Sequence, residues 1–162
     1  MSTAVLSIGS NVGDRLGHLQ SAADALRRWL RVVSPVYETE PWGPVAQDDY
    51  LNAVLLVADA DADAKPADWL ERARAAERAA GRTRETRWGP RTLDVDVVTV
   101  DDFRSDDPEL TLPHPRAAQR AFVLVPWLAV DPDARLGERA VRDLLAALPS
   151  GGVRARPDLV VA

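Results

Sequence analysis

The order of hydrophobic patterns is the feature that most limits what this chain can fold into. Short apolar or β-branched runs predict strands, and apolar residues repeated at helical spacing predict helices that lie on a sheet. The patterns predict, in chain order, a strand at 3–8, a helix at 16–30, strands at 32–37 and 50–57, a helix at 66–80 and a strand at 92–100. This β-α-β-β-α-β order is typical of a ferredoxin-like fold, so we predict an α+β protein.

The rest of the sequence predicts a C-terminal extension of this core. A short strand at Leu110–Leu112, a helix at 138–148 and an apolar tail at 159–161 follow the last core strand. At 162 residues the chain has the size of one domain that buries a core without disulfides or metals. The sequence shows no internal repeat, and we predict a single domain over residues 1–162 with a strand and helix extension.

Composition excludes several classes of function. The absence of cysteine rules out a disulfide framework, a thiolate metal site and a cysteine nucleophile. The formal net charge of -5 argues against broad binding to nucleic acids or membrane surfaces. No apolar run approaches the roughly 18 residues that a membrane span needs. We therefore expect a cytoplasmic protein with neither nucleic-acid nor membrane partners.

Two aspartates interrupt the valine-rich strand at 92–100. Because side chains alternate between the faces of a strand, Asp94 and Asp96 share one face, about 7 Å apart. Neighbouring carboxylates repel, so a cation is expected near them, and Mg²⁺ suits carboxylates completed by water and by substrate phosphates. The alternative is that both aspartates lie on a solvated face or pair with nearby arginines.

An arginine-rich loop precedes this strand. Its arginines are Arg82, Arg84, Arg87 and Arg91. Guanidinium groups match phosphate oxygens in charge and geometry, so arginines beside metal-binding carboxylates favour a polyphosphate substrate. The loop would then close over a nucleotide and reopen for release. The alternative is an exposed loop held by salt bridges.

Four segments, in order along the chain, carry a resemblance to a known family. They are SIGSNVGDR at 7–15, YETEPWGPVAQDDYLNAV at 37–54, GRTRETRWGPRTLDVDVV at 81–98 and LTLPHPRAAQRAFVLVPW at 110–127. Together they resemble the 6-hydroxymethyl-7,8-dihydropterin pyrophosphokinase family, which transfers pyrophosphate from ATP to a pterin alcohol in the folate pathway. A lone pair of aspartates would be weak support, whereas four ordered segments are specific.

The resemblance implies roles for the residues that match the family's motifs. Asp94 and Asp96 would hold two Mg²⁺ ions that bridge the phosphates of ATP and the pterin hydroxyl. The arginines implied in catalysis are Arg82, Arg84 and Arg91. The residues implied in nucleotide binding are Glu77, Arg87, Trp88, Thr111, His114 and Arg120. The pterin oxygen would attack the β-phosphorus of ATP in line, AMP would leave, and no covalent enzyme intermediate would form.

For the pterin, the resemblance implies a pocket between two aromatic side chains. Tyr50 and Phe122 would sandwich the flat heterocycle, and Asn52 would hydrogen bond to its amide edge. Tyr50 and Asn52 are two residues apart, so one strand face presents both. The residues implied at the pocket rim are Thr39, Glu40 and Trp42. Without the resemblance, Tyr50 and Phe122 would be interpreted as core aromatics.

Four positions depart from the family pattern, among them Glu40, which replaces a proline, and Pro115, which follows His114. Arg74 stands where some relatives carry glutamine, and Glu109 stands where some carry arginine. The turn at 9–11 is interpreted as structural, with glycine permitting a tight strand-to-helix connection. The family resemblance also implies two small-molecule substrates and a monomeric enzyme.

Two other functions are weighed against this one. A nucleotidyltransferase also combines a Gly-Ser turn with a D-x-D strand, but in that class the two elements lie closer in sequence than residues 9 and 94. An RNA-binding module can use a ferredoxin-like sheet with exposed aromatics. The acidic total and the absence of an aromatic-rich sheet motif argue against it.

Overall fold

The computed structural model of the chain describes residues 1–41, 44, 46–81, 92–149 and 151–162. Its strands are β1 (Ser2–Ser10), β2 (Leu30–Val33), β3 (Tyr37–Thr39), β4 (Tyr50–Asp59), β5 (Asp94–Val100), β6 (Ser105–Asp107), β7 (Leu110–Leu112), β8 (Arg135–Leu136), β9 (Arg139–Ala140) and β10 (Val153–Ala155). Its helices are α1 (Arg15–Ala25), α2 (Pro66–Ala79), α3 (Ala121–Val130) and α4 (Val141–Ala146), with a 3-10 turn at Ala117–Gln119.

The main sheet confirms the predicted ferredoxin-like α+β core. Its order is β10-β3-β4-β1-β5, with β2 also paired to β4, and neighbouring strands are antiparallel. Helix α1 follows β1 and helix α2 follows β4, which gives the β-α-β-β-α-β order. Strand β1 therefore lies between β4 and β5, and its C-terminal end, with the turn that follows it, is flanked by both strands.

The strand predicted at 32–37 is instead two strands, β2 and β3, along one edge of β4. Pro35 lies between them and has no N–H to donate to the ladder. Ser34 keeps the connection in register, because its N–H donates to the Val54 carbonyl at 2.9 Å and its hydroxyl accepts from the Val54 N–H at 2.8 Å.

The helix predicted at 16–30 is too long at its C-terminal end. Asp14 caps α1 as expected, accepting from the Gly17 N–H at 3.0 Å, but the helix ends at Ala25. Leu30 then pairs with Val57 in the sheet. Strand pairing therefore overrides the apolar spacing that continues to Leu30.

The sheet is covered on both faces. Helices α1 and α2 pack on one face through apolar residues that include Leu19, Ala23, Trp69 and Ala73. Helices α3 and α4 pack on the other, where Val54 and Val98 of the sheet contact Val123, Leu124, Trp127 and Leu144. We call the second face the α3 face.

A β-bulge in β5 distributes its valines between these two faces. The register with β1 shifts at this point, since Leu6 pairs with Val97 whereas Val5 pairs with Thr99. Val98 is the extra residue and packs in the α3 cluster, while Val97 and Val100 both pack beneath α1 and α2. The bulge therefore lets the strand serve both cores and still place two aspartates on one face.

The C-terminal extension contains more structure than its sequence predicts. The strand at Leu110–Leu112 is confirmed and pairs with β6. Helix α4 is shorter than the predicted 138–148, because Arg139–Ala140 pairs with Arg135–Leu136. Helix α3 and strand β10 have no counterpart among the predicted elements. Across the described ranges, none of the helices has the length and apolar character needed to cross a membrane.

Candidate active site

Two rows of paired residues bring the candidate pterin and metal residues together on the α3 face. Gly9 of β1 pairs with Asn52 of β4 on one side and with Asp94 of β5 on the other. In the next row, Ser7 pairs with Asp96. Neighbouring strands lie about 4.8 Å apart, so Asn52 and Asp94 are separated by the width of one strand.

The residue between them is Gly9, so no side chain rises from the sheet between Asn52 and Asp94. A Cβ at Gly9 would lie 3.3 Å from Asn52 Oδ1 and 3.4 Å from Tyr50 Cδ1. The Asn52 side chain is buried and donates from Nδ2 to the Thr39 hydroxyl at 2.8 Å. Thr39, Tyr50 and Asn52 therefore form one contiguous group beside Gly9, which we call the pterin-side group.

Arg120 lies between an aromatic ring and the aspartates. Its guanidinium carbon is 5.4 Å from the centroid of the Phe122 ring, and its Nη1 is 3.8 Å from Asp96 Oδ2. Burial lowers the pKa of Arg120, and the charges of Asp96 and Asp94 oppose that change. Arginine stays protonated through such changes, so Arg120 is a fixed cation beside the carboxylates.

Glu77 of α2 fixes the segment of β5 between the two aspartates. Its Oε2 accepts from the Val95 N–H at 2.9 Å, and the residue is buried. Since β5 ends the strand order of the main sheet, this N–H points away from β1. The carboxylate therefore fixes the backbone of Val95, and with it the positions of Asp94 and Asp96 on either side.

A cavity of about 280 Å³ opens between α2, β5 and β7. Its lining residues are Leu70, Arg74, Glu77, Val95, Asp96, Val97, Pro108, Glu109, Leu110, Thr111, His114 and Pro115. Three of the candidate nucleotide residues and one candidate metal ligand thus share one cavity. At its wall, Arg74 Nη2 lies 3.9 Å from Glu109 Oε2, so two of the positions that depart from the family pattern form an ion pair.

His114 is held as a neutral donor toward this cavity. Its backbone N–H donates to the Val98 carbonyl at 2.9 Å, and its Nδ1 accepts from the Arg116 N–H at 3.2 Å. Burial lowers the pKa of His114, and the charges of Arg120 and Arg116 add to this against the opposing charge of Asp96. With Nδ1 accepting, the proton of the neutral ring sits on Nε2.

Comparison with known proteins decides the family. A sequence profile described as 7,8-dihydro-6-hydroxymethylpterin-pyrophosphokinase (HPPK) matches residues 5–132. The chain belongs to the HPPK family. As a member of this family it is an enzyme, an ATP-dependent diphosphotransferase.

Curated relatives of the HPPK family match over most of the chain. The 2-amino-4-hydroxy-6-hydroxymethyldihydropteridine pyrophosphokinase of Mycobacterium tuberculosis is 50% identical over 161 residues, covering 91% of this chain and 85% of the relative. The protein of the same name from Methylorubrum extorquens is 41% identical over 157 residues, covering 94% and 98%.

Solved structures with an HPPK domain have the same fold. The wild-type HPPK-DHPS of Plasmodium falciparum with SDX-DHP matches with a TM-score of 0.69 at 14% identity, over 90% of this chain and 44% of that chain. An HPPK-DHPS in complex with substrates matches with a TM-score of 0.65 at 11% identity, over 90% and 43%. The chain thus spans less than half the length of these structural relatives, and the likeness shows the fold alone.

Several residues that the HPPK resemblance implied are not described by the structure. These are Arg82, Arg84, Arg87, Trp88 and Arg91 of the loop, and Trp42 of the pterin rim. Of the remaining rim residues, Glu40 is exposed beyond the end of β3, whereas Thr39 is buried. Thr111 lines the cavity and donates from its hydroxyl to the Asp107 carbonyl at 3.0 Å.

The donor set at β5 fits Mg²⁺. Among residues 1–41, 44, 46–81, 92–149 and 151–162, no three acidic, histidine or cysteine side chains are grouped so that they could hold a metal ion. Asp94 and Asp96 are half-buried and belong to one strand face. Two carboxylates leave most positions to water and phosphate, which is the coordination that Mg²⁺ prefers.

Two polar residues near the site were not assigned a role from the sequence. Asn11 is buried in the turn after β1, and its Nδ2 donates to Gln47 Oε1 at 2.8 Å and to the Asp48 carbonyl at 2.9 Å. Arg15 Nη1 donates to Glu38 Oε2 at 2.6 Å and to the Asp49 carbonyl at 2.9 Å. The quoted segment at 7–15 contains both residues, but only the fold shows that they reach the segment before β4.

Proposed function

We propose that this enzyme transfers the pyrophosphoryl group of ATP to the hydroxymethyl oxygen of 6-hydroxymethyl-7,8-dihydropterin, giving the pterin diphosphate and AMP. The observation that carries the proposal is the row Asn52, Gly9, Asp94, which sets a group suited to a pterin one strand away from a group suited to Mg²⁺ and phosphate. The names of the relatives point to the same pterin, and the reaction belongs to folate biosynthesis.

The pterin-side group supplies recognition of a flat, amide-edged heterocycle. Tyr50 and Phe122 are half-buried aromatics, on β4 and on α3, and we assign their rings to the two faces of the pterin. The buried amide of Asn52, oriented by Thr39, is assigned to the pterin edge. Glu40 and Trp42 complete the proposed rim.

The cavity beside β5 is the proposed nucleotide site. Glu77, Thr111 and His114 line it together with Asp96, and Arg120 lies beside Asp96. A neutral histidine with its proton on Nε2 donates a hydrogen bond to a phosphate oxygen without needing a second counterion. The loop arginines Arg82, Arg84, Arg87 and Arg91, with Trp88, are assigned to the triphosphate and adenosine from the family resemblance.

Asp94 and Asp96 would hold two Mg²⁺ ions, which would supply positive charge to neutralise the phosphates during transfer. The chain's own contribution is to hold the two substrates in line and to place fixed charge around the transferring group. Arg120 is suited to this second task because burial and the Phe122 ring fix its guanidinium. The pterin oxygen attacks the β-phosphorus directly, and no side chain becomes covalently attached.

The test is identification of the nucleotide product. Protein, ATP, Mg²⁺ and the hydroxymethyl dihydropterin are expected to give AMP and the pterin diphosphate in equal amounts. Formation of ADP, or of free pyrophosphate without pterin diphosphate, would overturn the proposed reaction. Asp96→Asn keeps the size of the side chain and removes its charge, so turnover should be lost with the thermal midpoint essentially unchanged.

The setting of the reaction completes the proposal. We expect the chain to work as a single-domain monomer in the cytoplasm with two small-molecule substrates. Size-exclusion chromatography with light scattering tests the monomer directly, and a dimer at working concentration would contradict it.

A further inference from the structure

We propose that Arg154, on the C-terminal strand β10, is a positioning residue for the pterin pocket. It joins the two ends of residues 40–49, the segment that links Thr39 to Tyr50. This inference rests on the proposed function, because it assigns the pterin to the group that those two residues flank. The HPPK profile ends at residue 132, so Arg154 lies beyond the region that defines the family here.

Arg154 contacts a carboxylate at each end of the segment. It pairs directly with Glu38 across the β3–β10 ladder, and its Nη2 lies 3.4 Å from Glu38 Oε1 and 2.9 Å from Asp49 Oδ2. Glu38 immediately precedes Thr39, and Asp49 immediately precedes Tyr50. One guanidinium thus ties together the two points where the chain leaves and re-enters the sheet.

Arg15 makes the same connection from the helix side. Its Nη1 reaches Glu38 Oε2 at 2.6 Å and the Asp49 carbonyl at 2.9 Å. Arg156 adds a hydrogen bond of 3.0 Å to Glu38 Oε1. The hydrogen bond from Arg15, together with those from Arg156 and Arg154, outweighs partial burial and lowers the pKa of Glu38. We call Glu38, Asp49, Arg15 and Arg154 the two-arginine bridge.

The bridge has consequences for the pterin rather than the nucleotide. Asp49 is bonded to the residue that begins β4, so any displacement of Asp49 is transmitted to Tyr50 and to its proposed ring contact. The candidate nucleotide residues lie on the other side of Gly9, along β5 and the cavity. Small displacements of a substrate contact reduce the fraction of well-placed complexes without altering chemistry elsewhere.

The test compares Arg154→Gln, Arg154→Lys and Arg27→Gln by steady-state kinetics for each substrate. Arg154→Gln should raise the KM for the pterin about tenfold and leave the KM for ATP unchanged. Arg154→Lys, which keeps the charge but not the fork, should recover part of the loss. Arg27 is the matched control, because its side chain is about as exposed as that of Arg154 and it also holds an ion pair, with Asp24, away from the segment.

A double-mutant cycle with Asp49→Asn tests the route of the effect. If Arg154 acts through Asp49, the double variant should show the pterin KM of the single variants rather than the product of their effects. An unchanged pterin KM in Arg154→Gln would overturn the proposal. Equal increases in both KM values, with a lowered thermal midpoint, would also overturn it by showing a general structural role.

The outcome is separable from that of the proposed function. Absence of AMP formation by the unmodified enzyme would refute the reaction itself. AMP formation by the unmodified enzyme, together with wild-type pterin KM in Arg154→Gln, would refute only the positioning role. Amide hydrogen exchange at residues 46–50, expected to be faster in Arg154→Gln than in Arg27→Gln, reports on the segment without any substrate.

Discussion

Gly9 is the single residue on which the two halves of the site meet. Its lack of a side chain leaves the surface between Asn52 and Asp94 clear, and a Cβ at this position would lie 3.3 Å from Asn52 Oδ1, closer than an ordinary van der Waals contact. Asn52 is buried and hydrogen bonded to Thr39, so it has little freedom to move aside. The glycine is therefore required by its surroundings, although its backbone conformation is that of an ordinary strand residue.

Gly9→Ala should weaken pterin binding selectively. The added methyl would lie 3.3 Å from Asn52 Oδ1, and a shift of a few tenths of an ångström would turn the amide away from its Thr39 partner. We expect the pterin KM to rise roughly threefold to tenfold while the KM for ATP stays unchanged. Steady-state kinetics with each substrate varied in turn measures this. Unaltered pterin KM would show that the amide does not bind the heterocycle.

Glu109→Gln should strengthen nucleotide binding. Glu109 places a negative charge at the wall of the proposed nucleotide cavity and forms an ion pair with Arg74 at 3.9 Å. Removing that charge releases the arginine toward a polyanion. Because both side chains are substantially exposed, we expect only about a twofold to fivefold gain, reduced by added salt. Titration with a non-hydrolysable ATP analogue at two salt concentrations measures it, and weaker binding at low salt would contradict this role.

At the scale of elements, the site depends on connections between strands and helices that are remote in sequence. The bulge at Val98 gives β5 valines in both cores, and Glu77 of α2 sets the height of the same strand. On the other side of the site, β10 and α1 both reach the segment between β3 and β4 through the two-arginine bridge. The residues proposed to bind each substrate are thus held in place by side chains from other elements of the fold.

The two-arginine bridge should make stability sensitive to acid. The pKa of Glu38 in the folded protein lies below its ordinary value of 4.5. Its ionised form therefore stabilises the fold above about pH 4.5, and this contribution is lost as the pH falls through the lowered pKa. The thermal midpoint of the wild type should fall more steeply below pH 4.5 than that of Glu38→Gln.

Glu71→Gln provides the control for this pH dependence. Glu71 pairs with Arg78 at 2.7 Å, but both side chains are largely exposed, so its loss should leave the acid dependence like that of the wild type. Parallel acid profiles for wild type and Glu38→Gln would show that the bridge does not contribute to folding free energy.

At the scale of the whole molecule, the sequence predicted what local patterns can encode. Alternation placed Asp94 and Asp96 on one face of a strand, and the order of patterns predicted the ferredoxin-like core. Helix α3 escaped prediction because Pro126 interrupts a continuous apolar run that lacks helical spacing. Strand β10 was not predicted because it has only three residues, Val153–Ala155, which are too few to show an alternating pattern.

The site was predictable only where a motif or alternation marked it. The contact between Arg154 and Asp49 spans 105 residues of sequence, and the pairing of Gly9 with Asn52 and Asp94 exists only once the sheet forms. Such contacts are consequences of topology rather than of spacing. They explain why Gly9, Asn11, Arg15 and Arg154 were not assigned a role in the site, although three of them lie within the segment quoted at 7–15.

Glu77 has a second consequence, for the behaviour of the protein in concentrated solution. Strand β5 ends the strand order of the main sheet, and outward amides at such a border can recruit a strand from another molecule. The Glu77 carboxylate occupies the Val95 N–H, and the His114 N–H occupies the Val98 carbonyl. Glu77→Ala should therefore raise light scattering on concentration more than Glu71→Ala does. Protection from self-association and nucleotide recognition would then depend on the same two residues, Glu77 through its carboxylate and His114 through its backbone N–H and its ring.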